Sequence, residues 1–251
     1  MVNNLIQWPT AKYWTAQWNP VIGCKPCSPA CENCYAASWA KRFGQSFVPH
    51  KSSKRIPPRK GTIFCGNVTD LFGDWRTTED MGNDIIHATI RGWDADATYL
   101  WLTKRVGNMC NALEWANKTI REHWFHNHYF GFTAENQEWY DRRVDIWNRH
   151  SPFWANGRLS CEPLIGPIDL GLPYFWKIPK WVVVGAESGR GRRPCKLEWV
   201  ANIVAQCRAA NVPVFVKQIC LPNGKFTNKI EEFPAHLQIR QVPWATKGET
   251  K

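Results

Sequence analysis

"ATYLWLTKRVGNMCNALEWAN" occupies residues 97–117, and its two halves follow different periods. Residues 97–104 form a run rich in aromatic and aliphatic side chains, the pattern of a strand buried on both faces. From there the apolar residues recur at Val106, Met109, Cys110 and Leu113, which is one face of a helix. A strand that feeds straight into a helix is half of a βα unit.

The unit recurs along the chain. Comparable runs are "TAQWNPVIG" (15–23), "GTIFCGN" (61–67), "HYFGFTA" (128–134), "GRLSCEPL" (157–164), "WVVVGAES" (181–188) and "VPVFVKQ" (212–218), which with 97–104 makes seven candidate strands. Between them, Ala36, Trp39 and Phe43 share a helical face before Gly44. Met81, Ile85, Thr89 and Ile90 follow a Thr77-x-x-Asp80 capping box, and Leu197, Val200, Val204 and Cys207 precede Asn211. Only the connection "GPIDLGLPYFWKIPK" (166–180) carries too many prolines and glycines for a long helix. No repeat or linker interrupts the series. The expectation is an α/β fold, a partial (βα) barrel of six to seven parallel strands, forming a single domain over 1–251.

Polar residues gather where the apolar runs end: Asn67 and Asp70, Thr103, Lys104 and Arg105, Thr133, Glu135, Asn136 and Gln137, Ser160 and Glu162, Glu187 and Ser188, Lys217 and Gln218. In a (βα) barrel these C-terminal strand ends form the active face. Taken singly, Asp70 or Ser160 reads as a cap or turn former. A set of charges at successive strand ends is costly to bury unpaired, so it implies mutual ion pairs or a charged ligand.

Four of the ten cysteines lie in "GCKPCSPACENCYA" (23–36), after the first run, and so fall on the same face. Two spacings overlap there. Cys27-x3-Cys31-x2-Cys34 suits three thiolate ligands of a [4Fe–4S] cluster, whereas Cys24-x2-Cys27 with Cys31-x2-Cys34 makes two knuckles for a tetrahedral zinc. The short gap between the knuckles favours iron–sulfur, because two rigid turns so close together oppose each other poorly. No apolar run long enough for a membrane span and no secretory leader appears, so a cytoplasmic protein is expected. Clustered cysteines in a reducing compartment more often bind metal than pair as disulfides. The seven histidines follow no ligand spacing and read as ordinary surface or core residues.

"QWNPVIGCKPCSPACENCYAASWAKRF", "DLFGDW", "WLTKRVGNM", "TAENQEWYDRR", "LSCEPLIGPI" and "VVVGAESGRGRRPCKLEWVANIVAQCRAANVPVFVKQ" together resemble the phage and prophage three-Cys-motif family of the radical S-adenosylmethionine (SAM) clan, from about residue 15 to 220. That family's Cys-x6-Cys-x2-Cys-Tyr pattern falls on Cys24, Cys31, Cys34 and Tyr35. Cys27 departs from it and completes the conventional radical SAM spacing, so the first ligand position stays open between Cys24 and Cys27. "GAESG" and "KQIC" also depart from the family's pattern, in regions assigned to substrate. The resemblance implies a [4Fe–4S] cluster, S-adenosyl-L-methionine, an external electron donor and a 5′-deoxyadenosyl radical. With position at strand ends, it assigns Tyr35 to the cofactor, Gly66 and Asn67 to the methionine amine, Thr133 and Glu135 to the ribose, and Ser160 and Glu162 to further cofactor contacts. Lys104, Arg105, Glu187, Ser188 and Lys217 are left for substrate or ion pairing, with Lys104, Glu187 and Lys217 as the catalytic candidates.

A net charge of +11 points to a polyanionic partner. Two basic loops, "HKSSKRIPPRK" (50–60) and "GRGRRPCK" (189–196), single out DNA. Most tryptophans belong to the core, and a few remain to stack an extruded base. The resulting expectation is a radical SAM enzyme, an isomerase or lyase, acting on a modified thymine-type base in phage DNA. Its rivals are a radical SAM enzyme on a small molecule, a DNA-lesion lyase, and a zinc-knuckle nucleic-acid-binding protein without catalysis.

Overall fold

The computed structural model describes residues 6–53, 56–120, 125–150, 156–172, 179–189 and 191–244. In chain order it contains β1 (Ile6–Gln7), β2 (Ala16–Trp18), β3 (Val21–Ile22), α1 (Tyr35–Arg42), β4 (His50–Lys51), β5 (Lys60–Cys65), α2 (Thr78–Gly92), β6 (Asp96–Thr103) and α3 (Val106–Asn117). There follow β7 (His128–Thr133), α4 (Gln137–Arg149), β8 (Gly157–Cys161), β9 (Trp181–Gly185), α5 (Leu197–Ala209), β10 (Val214–Cys220), β11 (Phe226–Thr227) and β12 (Gln241–Val242). The chain groups into two compact units. An N-terminal unit holds Trp14–Phe132 and Arg143–Asn156, and a C-terminal unit holds Met1–Tyr13, Thr133–Arg142 and Gly157–Lys251.

In the N-terminal unit β2, β5, β6 and β7 run parallel in that order, so that Trp18, Cys65, Trp101 and Phe130 lie in one row. Large rings fill the face they share. Trp101 meets Trp18 edge-on at 5.9 Å and stacks on Phe130 at 5.7 Å. His128 lies inside this stack, where its Nδ1 accepts a hydrogen bond from Trp101 Nε1 at 2.9 Å. Burial, with His126 nearby, lowers its pKa to about 3. It is the core histidine expected from the sequence. α2 opens on the predicted cap, with Thr77 Oγ1 accepting from the Asp80 N–H at 3.0 Å.

In the C-terminal unit β8, β9 and β10 are parallel, β11 adds to β10 in the antiparallel sense, and β1 pairs with β12. Tyr13, Trp181, Phe215 and Trp244 form its aromatic core. α5 ends at Asn211, whose φ of 55° is the left-handed turn that stops a helix. All residues of β7, β8 and β9 are buried, as expected of interior parallel strands.

Four parallel strands in one unit and three in the other thus stand on the seven predicted runs, and the class is mixed α/β. Several details differ. The run 15–23 is two short strands, because Pro20 cannot donate to a ladder, and β3 pairs instead with β4 in the antiparallel sense, beyond α1. The predicted faces at Trp39, Phe43 and Ile90 are exposed, since α1 packs through Ala36 and Ala40 and α2 through Met81, Ile85 and Thr89. β1, β4, β11 and β12 were not anticipated. No helix among the described residues is long and apolar enough to cross a membrane.

Candidate functional site

The cysteine loop leaves β3 through Gly23, whose φ is +86°. A Cβ there would lie 2.6 Å from the carbonyl oxygens of Phe47 and Val48, so only glycine allows the returning segment to pass this close. That approach lets Cys24 N–H donate to the Phe47 carbonyl at 3.0 Å. A 3₁₀ turn over Pro29–Cys31 follows, and α1 begins directly after Cys34.

The loop after β5 anchors it from the other side. Thr69 Oγ1 donates to the Gly23 carbonyl at 2.6 Å, and the Tyr35 hydroxyl donates to the Asn67 carbonyl. Asn67 is fixed in turn by Asn19, whose Nδ2 donates to its Oδ1 at 2.7 Å. The centre of the arrangement is Asp70, which is buried and accepts from Thr103 Oγ1 at 2.7 Å, Phe72 N–H at 3.0 Å, Lys104 N–H at 3.1 Å and Arg105 Nη1 at 3.2 Å. Arg105 also bonds Asp74 and donates from Nη2 to the Lys25 carbonyl at 3.0 Å. It therefore ties the strand ends of β5 and β6 to the cysteine loop. Asp70 is the turn former the sequence implied. Its role as a hub, and that of Arg105 as a clamp, were missed.

All four thiols of the loop are free and half-buried, whereas of the other six only Cys220 is not buried. A hydrogen bond from the Cys27 thiol brings the Cys31 thiol down to about 4, helped by the charge of Lys104. The same hydrogen bond, with burial, pushes Cys27 up. Burial and the Asp70 charge raise Cys24 to about 11. Soft sulfur donors in one short, backbone-anchored loop fit a thiolate-bound iron–sulfur cluster. Among the described residues no three His, Cys, Asp or Glu side chains gather closely enough to hold one metal ion.

The C-terminal unit holds a second polar centre. The register of β10 against β9 shifts between Val216 and Gln218, leaving Lys217 as a bulged residue. The bulge brings successive side chains to one carboxylate, a re-aiming that such irregularities allow. Glu162 Oε1 accepts from Lys217 Nζ at 2.5 Å and from Gln218 Nε2 at 3.2 Å. Burial works against the Lys217 charge, but the Glu162 carboxylate outweighs it and the pKa is raised. Gln218 is held in place by donating to the Ala186 carbonyl at 2.6 Å.

Glu187 is buried and gripped by Arg193 through both its backbone N–H and its guanidinium. Ser160 is buried with its hydroxyl unsatisfied among the described residues. Thr133 and Glu135 are also buried, at the end of β7 and just beyond, where Ala134 N–H donates to the Ser160 carbonyl and the Glu135 carbonyl accepts from Ile165. The predicted residues therefore assemble within their units as two groups. Tyr35, Asn67 and Lys104 accompany the cysteines, and Glu162 accompanies Lys217.

The basic loops are only partly available. In the first, Arg59 pairs with Asp94 at 2.7 Å, Lys60 starts β5, and Lys54 and Arg55 lie outside the described residues. In the second, Arg193 is committed to Glu187 and Arg190 lies outside the described residues. Arg192 and Lys196 line a cavity of about 550 Å³ with Cys195 and Cys220.

No curated protein and no solved structure matches the chain. A family profile described as "Protein of unknown function (DUF5131)" matches residues 8–233, nearly the whole length, and the chain belongs to that family.

Proposed function

We propose that the chain is a radical SAM enzyme acting on a modified thymine-type base in DNA, with its parallel strands forming a radical-SAM-like partial barrel. The observation that carries this reading is the loop of four free, half-exposed thiols, anchored from two sides at the ends of parallel strands. A [4Fe–4S] cluster held at this loop, with an external electron donor, would supply one-electron reductive chemistry toward S-adenosyl-L-methionine. Cys31 and Cys34 would hold it, with Cys27 or Cys24 as the third ligand.

The chain's own residues have distinct tasks in this reading. Asp70 and Arg105 position the loop. Gly66 and Asn67 serve the methionine amine, Thr133 and Glu135 the ribose, and Tyr35, Ser160 and Glu162 further contacts to the cofactor. Lys104 keeps a positive charge near Cys31, and Lys217, charged beside Glu162, can hold or deliver a proton at Nζ. Glu187 acts through Arg193 as a positioning residue. A small-molecule substrate is the second reading, favoured by the commitment of Arg59 and Arg193 to carboxylates. Product formation that falls steeply with added salt separates DNA from that rival.

The test is anaerobic reconstitution with iron and sulfide, followed by reduction and measurement of 5′-deoxyadenosine. Brown protein that forms deoxyadenosine, with Cys31→Ala reduced to background, is the expected result. Whichever of Cys24→Ala and Cys27→Ala keeps activity identifies the dispensable thiol. Iron-free protein, or undiminished cleavage by Cys31→Ala, overturns the reading.

A further inference from the structure

α1 begins where the cysteine loop ends and turns an unusual face to solvent. Tyr35, Trp39 and Phe43 stand at i, i+4 and i+8, and are 55%, 51% and 57% exposed. The helix meets the protein through Ala36 and Ala40 instead. Three large rings left in water on one face are not explained by packing, and contiguous apolar surface of this kind marks an interaction site. The rings are ordered relative to one another: Trp39 and Phe43 lie 5.0 Å apart, and the Arg42 guanidinium lies over Phe43 at 5.8 Å.

Charge identifies the occupant. Between Gly23 and Lys51 the chain carries Lys25, Lys41, Arg42 and Lys51 against a single carboxylate, Glu32. Those four cations are all exposed. Flat aromatic surfaces set among cations make a platform on which bases stack while the cations meet phosphates. A second copy of this chain would bring the same excess of positive charge to the face.

We propose that the α1 face of Trp39 and Phe43, with Lys41 and Arg42, binds single-stranded nucleic acid by base stacking. The Tyr35 hydroxyl, bonded to the Asn67 carbonyl, fixes this face to the loop after β5, and Cys24, bonded to the Phe47 carbonyl, ties the segment that follows α1 to the cysteine loop. A strand held here lies beside that loop. The inference rests on the nucleic-acid part of the proposed function and deepens it, because an enzyme that acts on a base must hold that base out of the duplex.

The experiment is fluorescence anisotropy of a labelled single-stranded oligothymidylate titrated with the full chain at several salt concentrations, without added cofactor. Trp39→Ala and Phe43→Ala should each weaken binding about fivefold or more. Trp39→Phe should retain most of the affinity, while Trp39→Leu, apolar but not flat, should not. Lys41→Ala with Arg42→Ala should flatten the salt dependence by roughly one to two charges. Unchanged thermal melting of each variant separates lost contacts from lost fold. Wild-type affinity in Trp39→Ala and Phe43→Ala overturns the proposal, as does a dimer that forms in wild type and is lost in Trp39→Ala. Deoxyadenosine formation by the wild type is scored separately. Its absence with stacking-dependent binding intact defeats only the radical reading, and its presence with binding indifferent to the rings defeats only this one.

Discussion

Asp70 in the N-terminal unit and Glu162 in the C-terminal unit are both carboxylates at the ends of parallel strands, and each faces a cation. Their surroundings make them different devices. Asp70 accepts from two backbone N–H groups and a threonine hydroxyl as well as from Arg105, so its charge is shared among groups that define the backbone path. Among the described residues Glu162 accepts from side chains only, those of Lys217 and Gln218. A carboxylate bonded to backbone holds a shape. One bonded to a mobile amine holds a charge that can be redirected.

The largest effect should come from breaking the hub. Asp70→Asn keeps the size but leaves Arg105, 8% exposed, without its buried counter-charge, a loss of about 3 kcal/mol. Arg105→Met in the same chain should not restore stability, because the N–H groups of Phe72 and Lys104 bond different carboxylate oxygens and Asn offers only one acceptor oxygen. Chemical denaturation of the single and double variants measures this. Full recovery in the double variant would make Asp70 an ordinary ion-pair partner and erase the distinction drawn above.

The Glu162 pair should behave in the opposite way. Glu162→Gln and Lys217→Met should each destabilise, and together they should recover most of the loss, with a coupling of about 2 kcal/mol. In the double variant the fold should persist while turnover of substrate disappears. A pair whose removal leaves both stability and turnover intact would be ornamental to both.

The contrast also shows what was readable from residues alone. The seven strands were legible because burial on both faces writes a continuous apolar run, and the Thr77 cap because its partner is three residues away. The α1 face was not, since the same i, i+4 spacing of Trp39 and Phe43 describes a helix that buries its aromatics and one that presents them. The cysteine loop was visible in its spacing, but its clamp was not: Arg105 reaches the Lys25 carbonyl from another strand end, and no local pattern reports that. Lys217 was picked out by position, while the bulge that aims it is a property of two strands in register. Asp70 was read as a turn former, which its bond to Phe72 N–H justifies, and its distant donors stayed hidden.

The smallest effect concerns acid, and it separates the two regions by pH rather than by substitution. His128, stacked among rings beneath the N-terminal strand ends, stays neutral when folded down to about pH 3, whereas its ordinary pKa is 6.5. The unfolded chain therefore binds a proton that the folded chain refuses, so His128 lowers stability as pH falls from 6.5 toward 3 and has no further effect below that. At pH 5.5 the cost is about 1.4 kcal/mol. Hydrogen exchange, corrected for its intrinsic pH dependence, should show protection of β6 and β7 amides falling before that of β9 and β10. His128→Gln, which can still accept from Trp101 Nε1, should remove the difference. Equal loss of protection in both sets of strands, or an unchanged difference in His128→Gln, would place the acid-sensitive group elsewhere.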